Sequence, residues 1–441
     1  MTVARVGWLI LPVVLVVAPV RPDDRIAEPA DDTDPNELTR VVERLASPIF
    51  KDRIEASRQL SLASPAIRTR LETLLERCED PETRHRLASI ITTLKRNELI
   101  LPTKVSLSLK KVGARTAFQE LSRQSGYKIR SSGLPDNQPV HDFHFVDVPY
   151  WYAVDQISSA AGATTNPEDD QGTLGVHYSD TYNPYVSYSG PFRIVATNIT
   201  ANQYLQLAGL PRRGLPVQNP EYIGLNFQIH AEPKAPMVGI GPVIAQHACD
   251  EFGTSLIPGQ GPYSPRQSHY SPAPSYRSFN MSASVALTRS YRQATRIKEF
   301  RGKIPVLILT ATQPVITIDN LLSAKQHNAS SQRLEITLSN VQALDGGGVQ
   351  MTASIRNRAS NPNDYSWSNT LNQRIVVLDE KGEKLNLNTM DFEQNSPESC
   401  VFKVQFSPNK NPAPPARKFI VYEWETLLHD LTVQFRDIPL P

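Results

Sequence analysis

The side chains able to do chemistry are scattered along this sequence. His141 and His144 sit in an alternating stretch that predicts a strand. Three residues apart on a strand places them on opposite faces, so they cannot chelate a metal as a pair. Glu423, Glu425, His429 and Asp430 cluster near the end of the chain and read as outward polar positions around a turn before the last strand. Cys78, Cys249 and Cys400 are far apart and form no CxxC, which excludes zinc-ribbon spacing. A Cys249–Cys400 disulfide in an oxidising compartment stays open; three separate buried thiols is the simpler reading. No HExxH, GxSxG, P-loop or EF-hand pattern occurs. No catalytic set, cofactor site or metal site is therefore expected. The one candidate interaction site is the Pro-, Ser- and Tyr-rich stretch from Pro258 to Arg277, where Tyr263, Tyr270 and Tyr276 recur at intervals of six or seven residues. It reads as a long exposed loop whose rings suit contact with peptides or sugars.

The 441 residues suffice for three or four domains, and 40 % of them are hydrophobic, so cores can form. Proline outnumbers glycine, 36 to 21, which favours loops and edge segments over long helices. The formal charge is only +2, with Lys and Arg spread along the chain. That argues against nucleic acid as a partner, which calls for a concentrated basic face.

Arg5 followed by the 13-residue apolar run Trp8 to Val20 has the form of an export signal, too short to span a bilayer comfortably. No clean cleavage site follows it. Residues 1–22 are thus expected to be a signal peptide or an uncleaved inner-membrane anchor, residues 23–35 a flexible acidic leader, and the remainder extracytoplasmic.

Residues 36–98 carry three helical stripes: Leu38, Val41, Val42, Leu45; then Ile67, Leu71, Leu74, Leu75; then Leu87, Ile90, Ile91, Leu94. Asp80-Pro81 and Ser64-Pro65 place a capping side chain before a first-turn proline. The segments FKDRIEASRQL and DPETRHRLASIITTL resemble HEAT-like repeats. Two pairs fall short of the three or more repeats that make an independent solenoid.

An internal duplication follows. KVSLSLKKVGARTAFQELSRQSG aligns without gaps, at an offset of 36 residues, with VHDFHFVDVPYWYAVDQISSAAG. Leu107 and Leu109 match Phe143 and Phe145 at strand period; Phe118 and Leu121 match Val154 and Ile157 at helical period. Gly126 and Gly162 stop the two helices. Further strands are expected at Tyr127–Arg130 and at Leu174–His177. The pattern predicts a βαβ-βαβ module over 103–179, a sheet with two helices on one face. On these elements, and above all on FHFVDVPYWYAVDQISSAAG, the segment resembles the secretin and TonB short N-terminal domain. The resemblance implies a soluble module that docks protein partners at the bacterial envelope and brings no chemistry of its own. Those proteins continue into a membrane β-barrel; nothing after residue 190 leaves room for one.

From 190 on, alternation dominates: Phe192, Ile194, Ala196; Leu225, Phe227, Ile229; Phe279 to Leu287; Leu334 to Leu338; Val349 to Ile355; Cys400 to Phe406. The apolar run 304–311 reads as a strand buried on both faces. Turns are expected at Asp345–Gly348 and at Glu380-Lys381-Gly382. Two β-sandwiches result, 190–320 with the long Pro/Tyr loop and 331–441. RGKIPV closing the first and FRDIPLP closing the second resemble a C-terminal arrangement of large extracytoplasmic bacterial proteins, planctomycete ones in particular. The expected fold class is multi-domain α+β. The expected function is a non-catalytic, protein-binding adaptor or scaffold of the cell envelope, with polysaccharide or cell-wall binding through aromatic sandwich loops as the alternative.

Overall fold

A computed structural model describes residues 35–63, 67–135, 139–179, 181–203, 221–259, 272–289, 293–358, 365–408 and 414–441. The export-signal reading of 1–22, most of the 23–35 leader, the Ser64-Pro65 cap, and Tyr263 and Tyr270 lie outside them. Helices and strands mix, with strand predominant. The chain divides into two compact units, 1–98 and 99–441.

The first unit is helical: α1 (Pro35–Glu43), α2 (Phe50–Ser61), α3 (Arg68–Arg77) and α4 (Pro81–Ile100). Its core is the striped set Leu38, Val41, Leu45, Leu71, Leu87, Ile90, Ile91 and Leu94, joined by Ala56 and Leu60. The Asp80 carboxylate accepts from the Thr83 N–H at 2.8 Å and the Thr83 hydroxyl at 2.5 Å, with Pro81 opening α4. These bonds, the hydroxyl's first, hold the Asp80 carboxyl below its usual range. Glu55–Arg58, Glu72–Arg68 and Glu82–Arg86 pair along exposed faces, where solvent screens such pairs and they add little. No described helix is long and apolar enough to cross a membrane.

The duplication is visible in the backbone. β1 (Lys104–Gly113) and α5 (Ala114–Ser125) repeat, at the same offset of 36, as β3 (Val140–Pro149) and α6 (Tyr150–Ala161). Gly126 and Gly162 close the helices at φ +72° and +57°. Lys111 and Asp147, also equivalent, both take positive φ where the β1–β3 ladder shifts register, so even the irregularity near the end of each strand is copied. The strands do not form one sheet with two helices on a face. Among the described residues β1 pairs only with β3, antiparallel, with Leu107 opposite Phe145 and Leu109 opposite Phe143. β2 (Ile129–Gly133), β4 (Ala163–Pro167) and β5 (Leu174–Tyr178) make a second sheet in the order β2-β5-β4. The expected strand at 174–177 is β5; the true counterpart of β2 is β4, directly after Gly162, and β5 returns from it as a hairpin. The first strands of the two copies pair with each other, whereas β5 stands between β2 and its counterpart β4, and two small sheets result.

The rest is two sandwiches sharing a ribbon. One sheet has the order β11 (Asn280–Arg289), β8 (Glu221–Ala231), β7 (Phe192–Gln203), β6 (Val186–Ser189). Another has β13 (His327–Ser330), β14 (Leu334–Ala343), β15 (Val349–Asn357), β18 (Ser399–Ser407), β17 (Asn386–Asn395). Facing both is the sheet β10 (Ile244–Asp250), β12 (Arg296–Ile318), β19 (Ala416–Pro439), β16 (Ile375–Asp379), with β9 (Met237–Ile240) beside β12. β12 and β19 pair from Arg296↔Pro439 to Ile318↔Phe419, with bulges at Leu309/Ala311 and Pro314/Ile316 that renew the twist. One end of this ribbon, with Phe300, Ile304, Leu431 and Phe435, completes the first core. The other, with Ile316, Phe419 and Val421, completes the second. Contiguous ranges split at 320–331 do not describe this pairing, because residues 416–439 enter both cores. RGKIPV and FRDIPLP do not close separate sandwiches either; Arg301–Val306 pairs with His429–Gln434 and Phe300 with Phe435, all in one ladder.

Three tight turns share one construction. Asp169, Asp250 and Asp379 each accept, through Oδ1, the backbone N–H groups two and four residues on, at 2.8–3.0 Å. Gly172, Gly253 and Gly382 stand three residues after each Asp with φ between +77° and +81°. The Asp side chain replaces the partners that the turning backbone lacks, and Gly supplies the left-handed residue.

Candidate functional site

The structure disperses most of the chemistry-bearing residues. Glu423, Glu425, His429 and Asp430 lie on one uninterrupted strand, β19, rather than around a turn. Glu423 pairs with Arg333 at 2.5 Å, Glu425 accepts from Gln313, and Asp430 faces Lys303 at 3.5 Å. Seven residues of strand separate the first from the last by about 23 Å. The His429 ring stacks on Phe192 with centroids 6.4 Å apart. His144 is exposed, while His141 leans on Phe143 from the opposite face of β3. Tyr276 is half exposed in the connection leading to β11. All three cysteines are free thiols, and only Cys400 is buried; Cys78 and Cys249 are partly accessible, against the expectation of three buried thiols. Burial pushes the Cys400 thiol up to about 12. Among the described residues no group of three or more His, Cys, Asp or Glu is arranged to hold a metal.

Titratable groups do converge where the duplicated module meets the first sandwich. Glu232, just past β8, is fully buried. Both its oxygens accept the Thr103 N–H at 3.1 Å, and Oε2 also accepts the Tyr127 hydroxyl at 3.0 Å. Tyr127 and the Thr103 hydroxyl lie 2.7 Å apart, and Lys234 Nζ stands 3.6 Å from Oε2. Beside this cluster the Trp151 indole donates to the Pro191 carbonyl at 3.1 Å, and His230 meets Trp151 edge-on at 5.9 Å. Arg193 grips Asp155 with two bonds of 2.8 and 2.9 Å and lies over Trp151. Tyr188 donates to Asp155 at 2.6 Å.

Burial dominates the electrostatics. It raises the Glu232 carboxyl above 4.5, against the pull of Lys234, Thr103 and Tyr127. It lowers His230 to about 3, helped by Arg193, so the imidazole is neutral at pH 7, with Nδ1 unpartnered. It raises the Tyr127 and Tyr150 phenols well above their usual value. A carboxylate, an imidazole and a hydroxyl are thus neighbours, but the carboxylate is sealed and its oxygens are engaged by the module's own groups. Such an arrangement clamps two folded parts together.

Sequence reasoning missed this junction because Glu232 lies 105 residues from Tyr127 and 129 from Thr103. One signal was available. Under the 36-residue offset Trp151 occupies the place of Arg115, whose guanidinium bonds within its own module to the Leu134 carbonyl at 2.7 Å. A large aromatic at the corresponding exposed-type position of the second copy alone marks the face that meets something else. Comparison with protein-family models, with curated proteins and with solved structures finds no match to this chain.

Proposed function

We propose that the protein is a non-catalytic, extracytoplasmic adaptor or scaffold of the bacterial cell envelope that binds a protein partner through its duplicated module. The observation that carries this reading is the β1–β3 sheet. Its two strands pair only with each other among the described residues, so each has an open edge. Exposed Val140 and Val146, at 61 % and 69 %, lie on β3. An open edge with apolar side chains is the element to which an extended partner strand adds. Lys104, Lys110 and Lys111 on β1 disfavour self-pairing of two such edges. The sealed junction and the shared ribbon support a scaffold role, since they hold the module on an extended β framework. In the helical unit, exposed Ile49, Phe50 and Ile54 on and before α2 offer a further apolar surface. The envelope location rests on the Trp8–Val20 run, and the docking role on the resemblance of 104–178 to the secretin and TonB short N-terminal domain.

Crosslinking in intact cell envelopes followed by mass spectrometry tests this. A discrete protein partner crosslinked near residues 140–149 is expected, and the double variant Val140→Lys/Val146→Lys should lose it while keeping its melting temperature. Recovery of the same partner by that variant contradicts the proposed edge.

A further inference from the structure

The first sandwich carries a cleft of about 620 Å³ that no step above uses. Thr197 and Asn198 of β7, Asn226 and Gln228 of β8, and Ser282 and Ser284 of β11 line it, with Ile240, Gly241 and Pro242 as a wall. Leu225, Phe227 and Ile229 alternate with the two β8 amides and are buried in the core, so the amides face away from it. The register aligns Asn198 with Asn226 and Asn226 with Ser284, and Gln228 with Ser282. Polar side chains therefore form one row across three strands, Asn198, Asn226 and Ser284, and a second across two, Gln228 and Ser282, with neighbouring strands about 4.8 Å apart.

The rows are internally ordered but not saturated. Asn226 Nδ2 donates to Asn198 Oδ1 at 2.6 Å, and Ser282 donates to Gln228 Oε1 at 3.1 Å. Among the described residues this leaves the Asn198 amide N–H groups, Asn226 Oδ1 and the exposed Ser284 hydroxyl available, while the Asn226 backbone carbonyl accepts from the Thr197 hydroxyl at 3.2 Å. The residues lining the cleft include no Asp, Glu, Lys, Arg or His. A phosphate, carboxylate or amine would find no opposite charge here. The volume falls within the range of about 300–1,000 Å³ typical of small-ligand sites.

We propose that this cleft binds a neutral oligosaccharide. Adjacent sugar hydroxyls are each donor and acceptor, as are the amide pair and the serine. Neighbouring strands set Asn198, Asn226 and Ser284 in one row to meet successive hydroxyls, and the Ile240–Pro242 wall gives the C–H faces of the ring an apolar surface. A peptide is the rival occupant, because β11 ends its sheet and its outer edge pairs with no described strand. The site is separate from the β1–β3 edge and does not depend on the adaptor reading.

The test is titration calorimetry of the full chain with cellohexaose, maltohexaose and chitohexaose, and with an uncharged Gly/Ser/Asn decapeptide as the rival probe. Saturable binding of at least one hexasaccharide is expected. Asn226→Ala should weaken it about tenfold, the loss of one or two hydrogen bonds in a neutral site. Ser284→Trp, which fills the cleft from an exposed position, should abolish it with the melting temperature unchanged. Val140→Lys/Val146→Lys should bind sugar like the parent, which separates this proposal from the adaptor one. Failure of all three sugars to saturate, binding of the decapeptide instead, or parental affinity in Ser284→Trp each overturns the proposal.

Discussion

Glu232 is the residue through which the duplicated module and the first sandwich should stand or fall together. Glu232→Ala removes the acceptor for two part-buried donors, the Thr103 N–H and the Tyr127 hydroxyl. The Thr103 N–H is orphaned at about 1–3 kcal/mol, and the Tyr127 hydroxyl keeps only the Thr103 hydroxyl, so the expected loss is about 2–4 kcal/mol. Truncation also removes a buried carboxylate, whose desolvation offsets part of that loss. Glu232→Gln separates the two effects, since it removes the charge and keeps an acceptor for Thr103 while Tyr127 can turn to accept from the new amide. The alanine variant should therefore be less stable than the glutamine variant by about 2 kcal/mol or more. The pH dependence has a definite sign. A carboxyl raised above 4.5 by folding favours the fold fully below 4.5, and that advantage is lost as pH rises through the folded value. Glu232→Gln lacks this dependence, so it should gain on the parent between pH 4 and pH 7. Urea unfolding followed by the fluorescence of Trp151, which lies against the junction, measures both quantities. An alanine variant within about 0.5 kcal/mol of the glutamine variant, or a glutamine variant that loses ground as pH rises, refutes the reasoning.

Other outcomes follow from the same coordinates. His230, lowered to about 3 by burial, contributes stability that is complete above about 6.5 and declines as pH falls toward 3, by up to about 1.4 kcal/mol per pH unit; His230→Phe should flatten that limb in acid-titrated melts. Gly253→Ala and Gly382→Ala meet open space, so only the left-handed backbone opposes them, at about 1–2 kcal/mol each, whereas Gly172→Ala also places its Cβ 3.2 Å from the Phe279 ring and should cost more by calorimetry. Trp424 lies mid-ribbon with Val238, Leu307 and Leu309 and under Arg374 at 4.6 Å; Trp424→Ala should cost about 3–5 kcal/mol and split one melting transition of the two sandwiches into two. Iodoacetamide on the folded protein should spare Cys400, and its labelling should appear only with unfolding, as read by peptide mass mapping.

Local chemistry made a large part of the architecture legible. Phe402, Val404 and Phe406 alternate because a strand with one buried face must alternate, and Leu87, Ile90, Ile91 and Leu94 recur because a helix has 3.6 residues per turn. The 36-residue offset alone locates both helices, both glycine stops and the first strands of the repeat. The Asp-x-x-Gly turns were equally local, and only that at 379–382 was recognised as a turn from sequence. The cleft was less visible, since Asn198, Asn226 and Ser284 become one row only when three strands take up their register.

The sequence by itself determined the helices of 36–98, the repeated strand and helix of the duplication, and most of the alternating strands, because each depends on neighbours within a few residues; it missed β4, two of the three Asp turns and the unbroken run of β19 through 423–430. Tertiary structure alone decided that residues 416–439 serve two cores, that the first strands of the two repeats pair with each other, and that Glu232 closes on Thr103 and Tyr127. Those outcomes depend on the free energy of whole faces packed together and on bonds between groups more than a hundred residues apart. No local pattern encodes a partner at that distance.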